Sequence, residues 1–289
     1  MTSAHVVARA KRALRVRRIG HTGTLDPMAT GVLPLVVGEG TKIASLLLAD
    51  DKRYMATVEL GAETDTDDAD GEVVRTAREQ AAALEPAQIV LAAAGLKGEI
   101  EQVPPIYSAL KRDGKRMYEL ARAGHEVELE PRPVTVYELE LTRVAPPKVD
   151  IGVHCSKGTY IRALARDLGR ALGVGGHLTA LRRTAAGPFT LDRAIPLANL
   201  DPELAAARIV SPAQALAHLP AIHPQGDHLR RISQGLPRRA AEVAPGLEDG
   251  VLFRCLTPDD QLLAVAHVEA GEVRYKRVFP RVWPQSDKG

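Results

Sequence analysis

Residues 20 to 42 read GHTGTLDPMATGVLPLVVGEGTK. The stretch sets one carboxylate, Asp26, between small turn-formers and a proline, then runs into an apolar segment. Pro27 pushes Asp26 toward extended backbone, and Gly23 and Gly31 relieve crowding on either side. Three readings compete: a phosphate cradle, a plain connecting turn, and a stiff mount for a catalytic aspartate. Spacing removes the first. A P-loop needs G-x-x-x-x-G-K-[ST], whereas Gly38 and Gly40 here precede Thr41 and Lys42 in the wrong order. A phosphotransferase-type D-x-D-x-T also fails, because Asp26 is followed by Pro-Met-Ala-Thr. A turn or N-cap aspartate and a catalytic mount both remain.

The rest of the chain narrows the setting. Its 289 residues suffice for a sizeable core and suggest two domains. No apolar run approaches the roughly 20 residues of a membrane span, and the basic N-terminus lacks a signal peptide's apolar region. Cys155 and Cys255 are far apart and form no C-x-x-C pair, which argues against a metal cluster or disulfide framework and fits a reducing cytoplasm. The net charge of +2 is unevenly spread. Residues 1 to 20 carry Arg9, Lys11, Arg12, Arg15, Arg17 and Arg18 and no acid, and residues 111 to 122 and 162 to 183 are again basic. Separated basic patches suggest a polyanion gripped at several places, with solvated helix faces as the plainer alternative.

Between Glu59 and Glu72 lie seven acids and no Lys or Arg. A calcium loop is tested by aligning Gly71 to its glycine, which puts Thr66 and Ala77 at the first and last ligand positions; the two key carboxylates are missing. The segment therefore reads as an acidic surface loop that would repel a polyanion.

Periodicity supplies the elements. TSAHVVARAKRALRV reads as a short amphipathic helix with Thr2 and Ser3 as N-cap candidates. YMATVELG alternates Tyr54, Ala56, Val58 and Leu60 on one face, a strand pattern. In GVLPLVVG, Pro34 argues against a central ladder position. Residues 84 to 95 read as helical, and a further helix is expected to end at Gly124. VTVYELELTRV and DIGVHCS alternate as strands. TYIRALARDLGRALG is a helix with Ile161, Leu164, Ala165, Leu168 and Leu172 on one face and Arg162, Arg166 and Arg170 as a neighbouring stripe. From about Pro188 the chain becomes rich in Pro and Ala, and VLFRCL, LLAVAHVEA and EVRYKRVFP then suggest a small all-β domain.

Several long blocks, in order, carry a resemblance. GHTGTLDPMATGVLPLVVGEGTK, DKRYMATVELGAETDTDDADGEV, QVPPIYSALKRDGKRMYELARAG and CSKGTYIRALARDLGRALGVGGHLTALRRTAAGPF together resemble the TruB-type bacterial tRNA pseudouridine-55 synthases over most of residues 2 to 190. The resemblance implies an isomerase, an intramolecular transferase that breaks the N1–C1′ bond of uridine, rotates the uracil and rejoins it through C5. No redox step or external group is involved, so neither cofactor nor metal is expected. A carboxylate must either attack covalently or handle a ribose proton, and the residues leave both routes open.

By this resemblance Asp26 is the essential carboxylate, and Arg162 pairs with it and orients it. Tyr54 stacks on the target base and its hydroxyl could aid a proton transfer. Tyr160 and Leu181 complete the wall of the uracil pocket. His21 enters the RNA loop beside the flipped nucleotide, filling the space left by an extruded base. Lys111, Arg112, Lys115, Arg116 and Arg122 fall in a segment that closes over the T-arm stem-loop of tRNA, and Arg182 and Arg183 are expected to contact phosphates.

The implied architecture is α+β. A pseudouridine synthase catalytic domain over 1–215, with a mixed, mostly antiparallel sheet flanked by helices, precedes a small β-rich PUA-like RNA-binding domain over 218–284. Members of the family usually carry an N-terminal strand and a Lys-Pro turn ahead of the Thr-Ser that here follows Met1. Its absence, from a late-assigned start or trimming, is expected to uncover a hydrophobic patch or sheet edge. A cytoplasmic monomer is expected, with no obligatory protein or guide-RNA partner. Two rivals stay open: a tRNA-binding folding factor with secondary or no catalysis, and a related synthase acting on ribosomal RNA or within a guide-RNA complex.

Overall fold

The computed structural model describes residues 1–107 and 129–279; within 108–128 it describes only the backbone of the strand pair Lys111–Arg112 and Lys115–Arg116. The helix expected to end at Gly124, and Arg122 with it, lie outside the described residues. In chain order the strands begin with β1 (Ile19–His21), β2 (Thr30–Gly31), β3 (Leu35–Val37), β4 (Lys52–Leu60), β5 (Ala62–Thr64), β6 (Val73–Thr76) and β7 (Gly98–Gln102). They continue with β8 (Lys111–Arg112), β9 (Lys115–Arg116), β10 (Arg132–Ala145), β11 (Lys148–Cys155), β12 (Gly176–Ala186) and β13 (Phe189–Thr190). The last five are β14 (Ala221–Ile222), β15 (Arg238–Arg239), β16 (Leu252–Leu256), β17 (Leu262–Glu269) and β18 (Glu272–Val278).

The chain forms two compact units. The first comprises Met1–Ala8, His21–Pro34 and Leu48–Ala194. Its sheet runs β13-β12-β4-β11-β10-β7, antiparallel at every step, and β2 joins β12 in parallel. This is the mixed, mostly antiparallel sheet expected. The alternation in β4 holds: Ala56, Val58 and Leu60 point into the core, while Arg53 and Met55 are exposed. The Ile161–Ala171 helix buries Ile161, Leu164, Ala165 and Leu168 in the same apolar cluster as Val136, Ile151 and Leu178 of the sheet. Gly169 permits this approach, because a Cβ there would lie 2.1 Å from the backbone of Gly175 and Gly176. Pro34 separates β2 from β3 instead of sitting inside one strand, as its missing N–H requires.

One expectation holds only in part. Asp65, Asp70 and Glu72 of the acidic segment are exposed, but Glu63, Asp67 and Asp68 are buried and pair with the arginine stripe of the 161–171 helix. Arg166 Nη1 meets Asp67 Oδ2 at 2.9 Å, Arg170 Nη2 meets Glu63 Oε2 at 2.8 Å, and Arg162 Nη1 lies 3.4 Å from Asp68 Oδ2. Arg162 and Arg166 are themselves buried, so these two members of the stripe are neither a polyanion grip nor a solvated face, while Arg170 stays exposed beside Glu63. Burial pushes the Asp67 carboxyl above its ordinary range, against the pull of Arg166, Arg162 and Arg170. For Glu63 burial also works upward, but the bonds from Arg170 and Arg75 outweigh it and hold the group low.

The second unit comprises Arg9–Gly20, Leu35–Leu47 and Ile195–Gly289. Its five-stranded sheet runs β14-β16-β17-β18-β15 around a core of Leu229, Ile232, Phe253, Leu263 and Val273, the β-rich C-terminal body that the resemblance implied. Residues 9–20 and 35–47 belong to this same unit. Lys42 Nζ donates to Val278 O at 3.1 Å and Arg277 Nε donates to Lys42 O at 3.0 Å, which ties the 35–47 segment to the last strand. Among the described residues, no helix is long and apolar enough to cross a membrane.

Candidate active site

The opening stretch is held as a loop over strand β12. Thr22 N–H reaches Pro34 O at 3.1 Å, and Ala29 N–H closes a tight turn on Asp26 O at 2.9 Å. Thr30 and Gly31 run beside Arg182 and Arg183, and Val32 N–H donates to Arg183 O at 2.8 Å. Gly31 has φ of 98°, and a Cβ there would lie 2.1 Å from Arg183 O, so both its conformation and the contact exclude a side chain. Just ahead of Asp26, the buried Ser3 hydroxyl accepts from Leu25 N–H at 2.9 Å and donates to Leu25 O at 3.4 Å. Ser3 was an N-cap candidate by sequence. Thr2 takes that place, its hydroxyl accepting from His5 N–H at 3.3 Å, and Ser3 pins the aspartate loop.

Arg183 completes the mount. It is 1% exposed, and its guanidinium donates to Val32 O at 2.8 Å, Gly23 O at 3.2 Å and Thr24 O at 3.4 Å. The phosphate contact expected for this residue is therefore corrected to an internal tether: a buried cation saturated by loop carbonyls cannot reach an RNA backbone. Arg182, its neighbour on the other face of the strand, is exposed. An Arg183→Met variant keeps the length of the side chain and strands those carbonyls. Urea unfolding is expected to show a loss of about 3 kcal/mol, the range for removing one side of a buried charged hydrogen-bond set.

Arg162 enters from the first turn of the 161–171 helix. Its Nε donates to Asp26 Oδ2 at 3.0 Å and its Nη2 to Asp26 Oδ1 at 3.2 Å, a two-pronged pair across 136 residues of chain. The remaining N–H groups meet Thr66 O and Tyr107 O, both at 2.9 Å, with Asp68 at 3.4 Å. The fork thus makes four hydrogen bonds, with Asp68 beside it as an ion pair. The Arg162 side chain is 5% exposed and that of Asp26 is 30% exposed, so the cation is sealed behind a carboxylate that faces outward.

Of the expected pocket residues, Tyr54 lies on β4 between Val153 of β11 and Arg183 of β12. Burial pushes its phenol up to about 12, against Arg183, with the Asp26 charge adding to the rise. It stays neutral through the physiological range, which suits stacking and hydrogen donation. Tyr160 sits at the start of the arginine helix, and Leu181 on β12 lies in the apolar cluster that also takes in Tyr54, Met28 and Ala29. His21 ends β1, at the edge of the loop. Burial and the nearby Arg183 push its imidazolium below the ordinary value, against the opposing pull of the Gly23 backbone. The shift favours the uncharged ring, which suits filling space. Lys111, Arg112, Lys115 and Arg116 form the small β8–β9 pair. No group of three or more His, Cys, Asp or Glu among the described residues is placed to hold a metal ion.

Comparison with known proteins defines the class first. Residues 11–161 match the model of the TruB family pseudouridylate synthase N terminal domain, and residues 162–219 match that of the tRNA pseudouridylate synthase B C-terminal domain. The fold is that of the pseudouridylate synthases. Among curated relatives, the tRNA pseudouridine synthase B of Aromatoleum aromaticum is 52% identical over 250 residues, covering 86% of this chain and 80% of that protein. The same-named protein of Geobacter sulfurreducens is 46% identical and that of Burkholderia pseudomallei 44%, each covering 96% of this chain and 96% and 93% of the relative. The chain belongs to the TruB family. Among solved structures, a Cbf5-Nop10-Gar1 complex contains a chain that matches with a TM-score of 0.76 at 27% identity, covering 98% of this chain and 83% of that one. An H/ACA RNP bound to a substrate RNA containing 2'-deoxyuridine matches with a TM-score of 0.74 at 25% identity, covering 98% and 84%.

Proposed function

We propose that this chain isomerises uridine 55 in the T-loop of tRNA to pseudouridine. The observation that carries the reading is the two-pronged Arg162–Asp26 pair, with the carboxylate partly exposed and the cation sealed behind it. In the reaction the N1–C1′ bond breaks, the uracil turns, C5–C1′ forms, and the proton leaves C5 while N1 gains one. No electrons are exchanged with an outside group. Asp26 supplies the carboxylate, either as nucleophile or as base toward the ribose. Arg162 orients it, the neutral Tyr54 ring stacks on the base, Tyr160 and Leu181 wall the uracil, and His21 fills the space the base vacates. Arg182, with Lys111, Arg112, Lys115, Arg116 and Arg122, is assigned to phosphate contact. The proposed setting is the cytoplasm, with the chain acting as a monomer without guide RNA. Relatives named for tRNA are 44–52% identical, against 25–27% for chains of the Cbf5 and H/ACA assemblies.

The test is incubation of the purified protein with an unmodified tRNA transcript and mapping of pseudouridine by mass spectrometry. Product is expected at T-loop position 55 and absent from a transcript carrying cytidine there. Product at another position would overturn the assignment to 55, and tRNA bound without any product would favour a folding factor.

A further inference from the structure

The 161–171 helix begins without a side-chain cap of its own. Tyr160 occupies the N-cap position and makes no side-chain capping bond, and it is a residue type that offers none. The cap comes from another element. Strand β7 ends at Gln102, 1% exposed, and its amide meets the Tyr160 backbone twice. Gln102 Oε1 accepts from Tyr160 N–H at 2.8 Å, and Nε2 donates to Tyr160 O at 3.1 Å. That carbonyl also receives Leu164 N–H at 3.2 Å, so the amide grips the residue at which the first helical bond closes. In a capping box, a Glu or Gln within the helix reaches back to the N-cap N–H; here a strand supplies that group. The chain after Gln102 follows the same helix, with Arg166 Nη2 donating to Val103 O at 2.8 Å and Arg162 Nη2 to Tyr107 O at 2.9 Å.

We propose that Gln102 is a positioning residue: it fixes where the arginine helix starts, and through that the placement of Tyr160 and of the Arg162 fork on Asp26. The proposal deepens the isomerase reading and rests on it. A small rotation of the first turn would carry Arg162 off the carboxylate while leaving the RNA-facing cations in place.

Two variants test it. Gln102→Met matches the side chain in length and removes both bonds. Single-turnover pseudouridine formation is expected to fall about 10- to 100-fold, the scale of an ångström-level misplacement, with tRNA affinity unchanged. Gln102→Glu separates positioning from bulk stability. The ionised acid sets an oxygen against Tyr160 O, whereas the protonated acid restores donor and acceptor. The charged groups facing this position are Arg132 on β10, then Arg162 and Arg166 on the helix with their partners Asp26, Asp68, Asp67 and Asp167. The variant's rate divided by the wild-type rate, measured at each pH, is expected to rise on acidification. Should Gln102→Met fail to fold, this ratio decides. A flat ratio, or a folded Gln102→Met at the wild-type rate, overturns the positioning role. A wild type that yields no product fails the isomerase reading itself and takes this proposal with it.

Discussion

Asp26→Asn is expected to abolish pseudouridine formation while leaving the protein folded and able to bind tRNA. The substitution keeps the shape of the side chain but replaces a carboxylate oxygen with an N–H₂ group. Arg162 presents donors at Nε and Nη2 to both Asp26 oxygens, so one of the two bonds becomes donor against donor. The amide can neither attack nor accept a ribose proton, and either loss is worth about 10²- to 10⁴-fold in rate, roughly 3 to 5 kcal/mol of barrier. The fold has other anchors at this point. Arg162 keeps Thr66 O, Tyr107 O and Asp68, and the loop keeps Ser3 and Arg183. Single-turnover kinetics with mass-spectrometric detection, beside a tRNA binding assay, reads both halves. Wild-type rates from the Asn variant would remove Asp26 from the chemistry.

Arg162→Lys is the second large effect. Lysine keeps the charge but offers a compact ammonium instead of a planar fork. It cannot meet two carboxylate oxygens and the carbonyls of Thr66 and Tyr107 together, so at least one buried acceptor is left bare. The expected outcome is a fall in kcat of about 100-fold or more, from a misdirected carboxylate. A loss of roughly 2 to 4 kcal/mol in urea unfolding should accompany it. Affinity for tRNA is expected to hold, because a side chain 5% exposed has no route to a phosphate. Equal losses in binding and rate would instead make Arg162 a contact to the nucleic acid.

Much of this was legible in the sequence where local periodicity sufficed. The alternation in YMATVELG became the central strand β4, and the 3.6-residue apolar spacing became the 161–171 helix. The partnership of Asp26 and Arg162 was different in kind. No spacing rule links positions 136 residues apart, and only several long blocks of resemblance brought them together. Arg183 was misread although a signal was present. Strand alternation places residues 181, 183 and 185 on one face, and an inward Leu181 implies an inward Arg183. The buried part of the acidic segment was misread because solvation was judged for each charge run separately. An arginine every four residues along a helix and a cluster of acids elsewhere are both exposed by default, until tertiary contact lets them cancel. Gln102 and Ser3 carried no local signal, since an uncharged polar residue becomes a clamp only through what the fold sets opposite it.

The ladder of Glu63, Asp67 and Asp68 against Arg170, Arg166 and Arg162 has a consequence for the ions around a bound RNA. A nucleic acid sheds condensed counterions only where protein cations neutralise its phosphates, and the number shed sets how steeply affinity falls with salt. The helix arginines already have their countercharge inside the protein, and Arg183 spends its donors on carbonyls. Buried Arg162, Arg166 and Arg183 displace no counterion, so the salt dependence of binding is expected to fall short of what the arginine count between 162 and 183 suggests. The charges that hold the carboxylate in place are thereby kept apart from those that hold the polyanion, and added salt can weaken the grip without disturbing the aim.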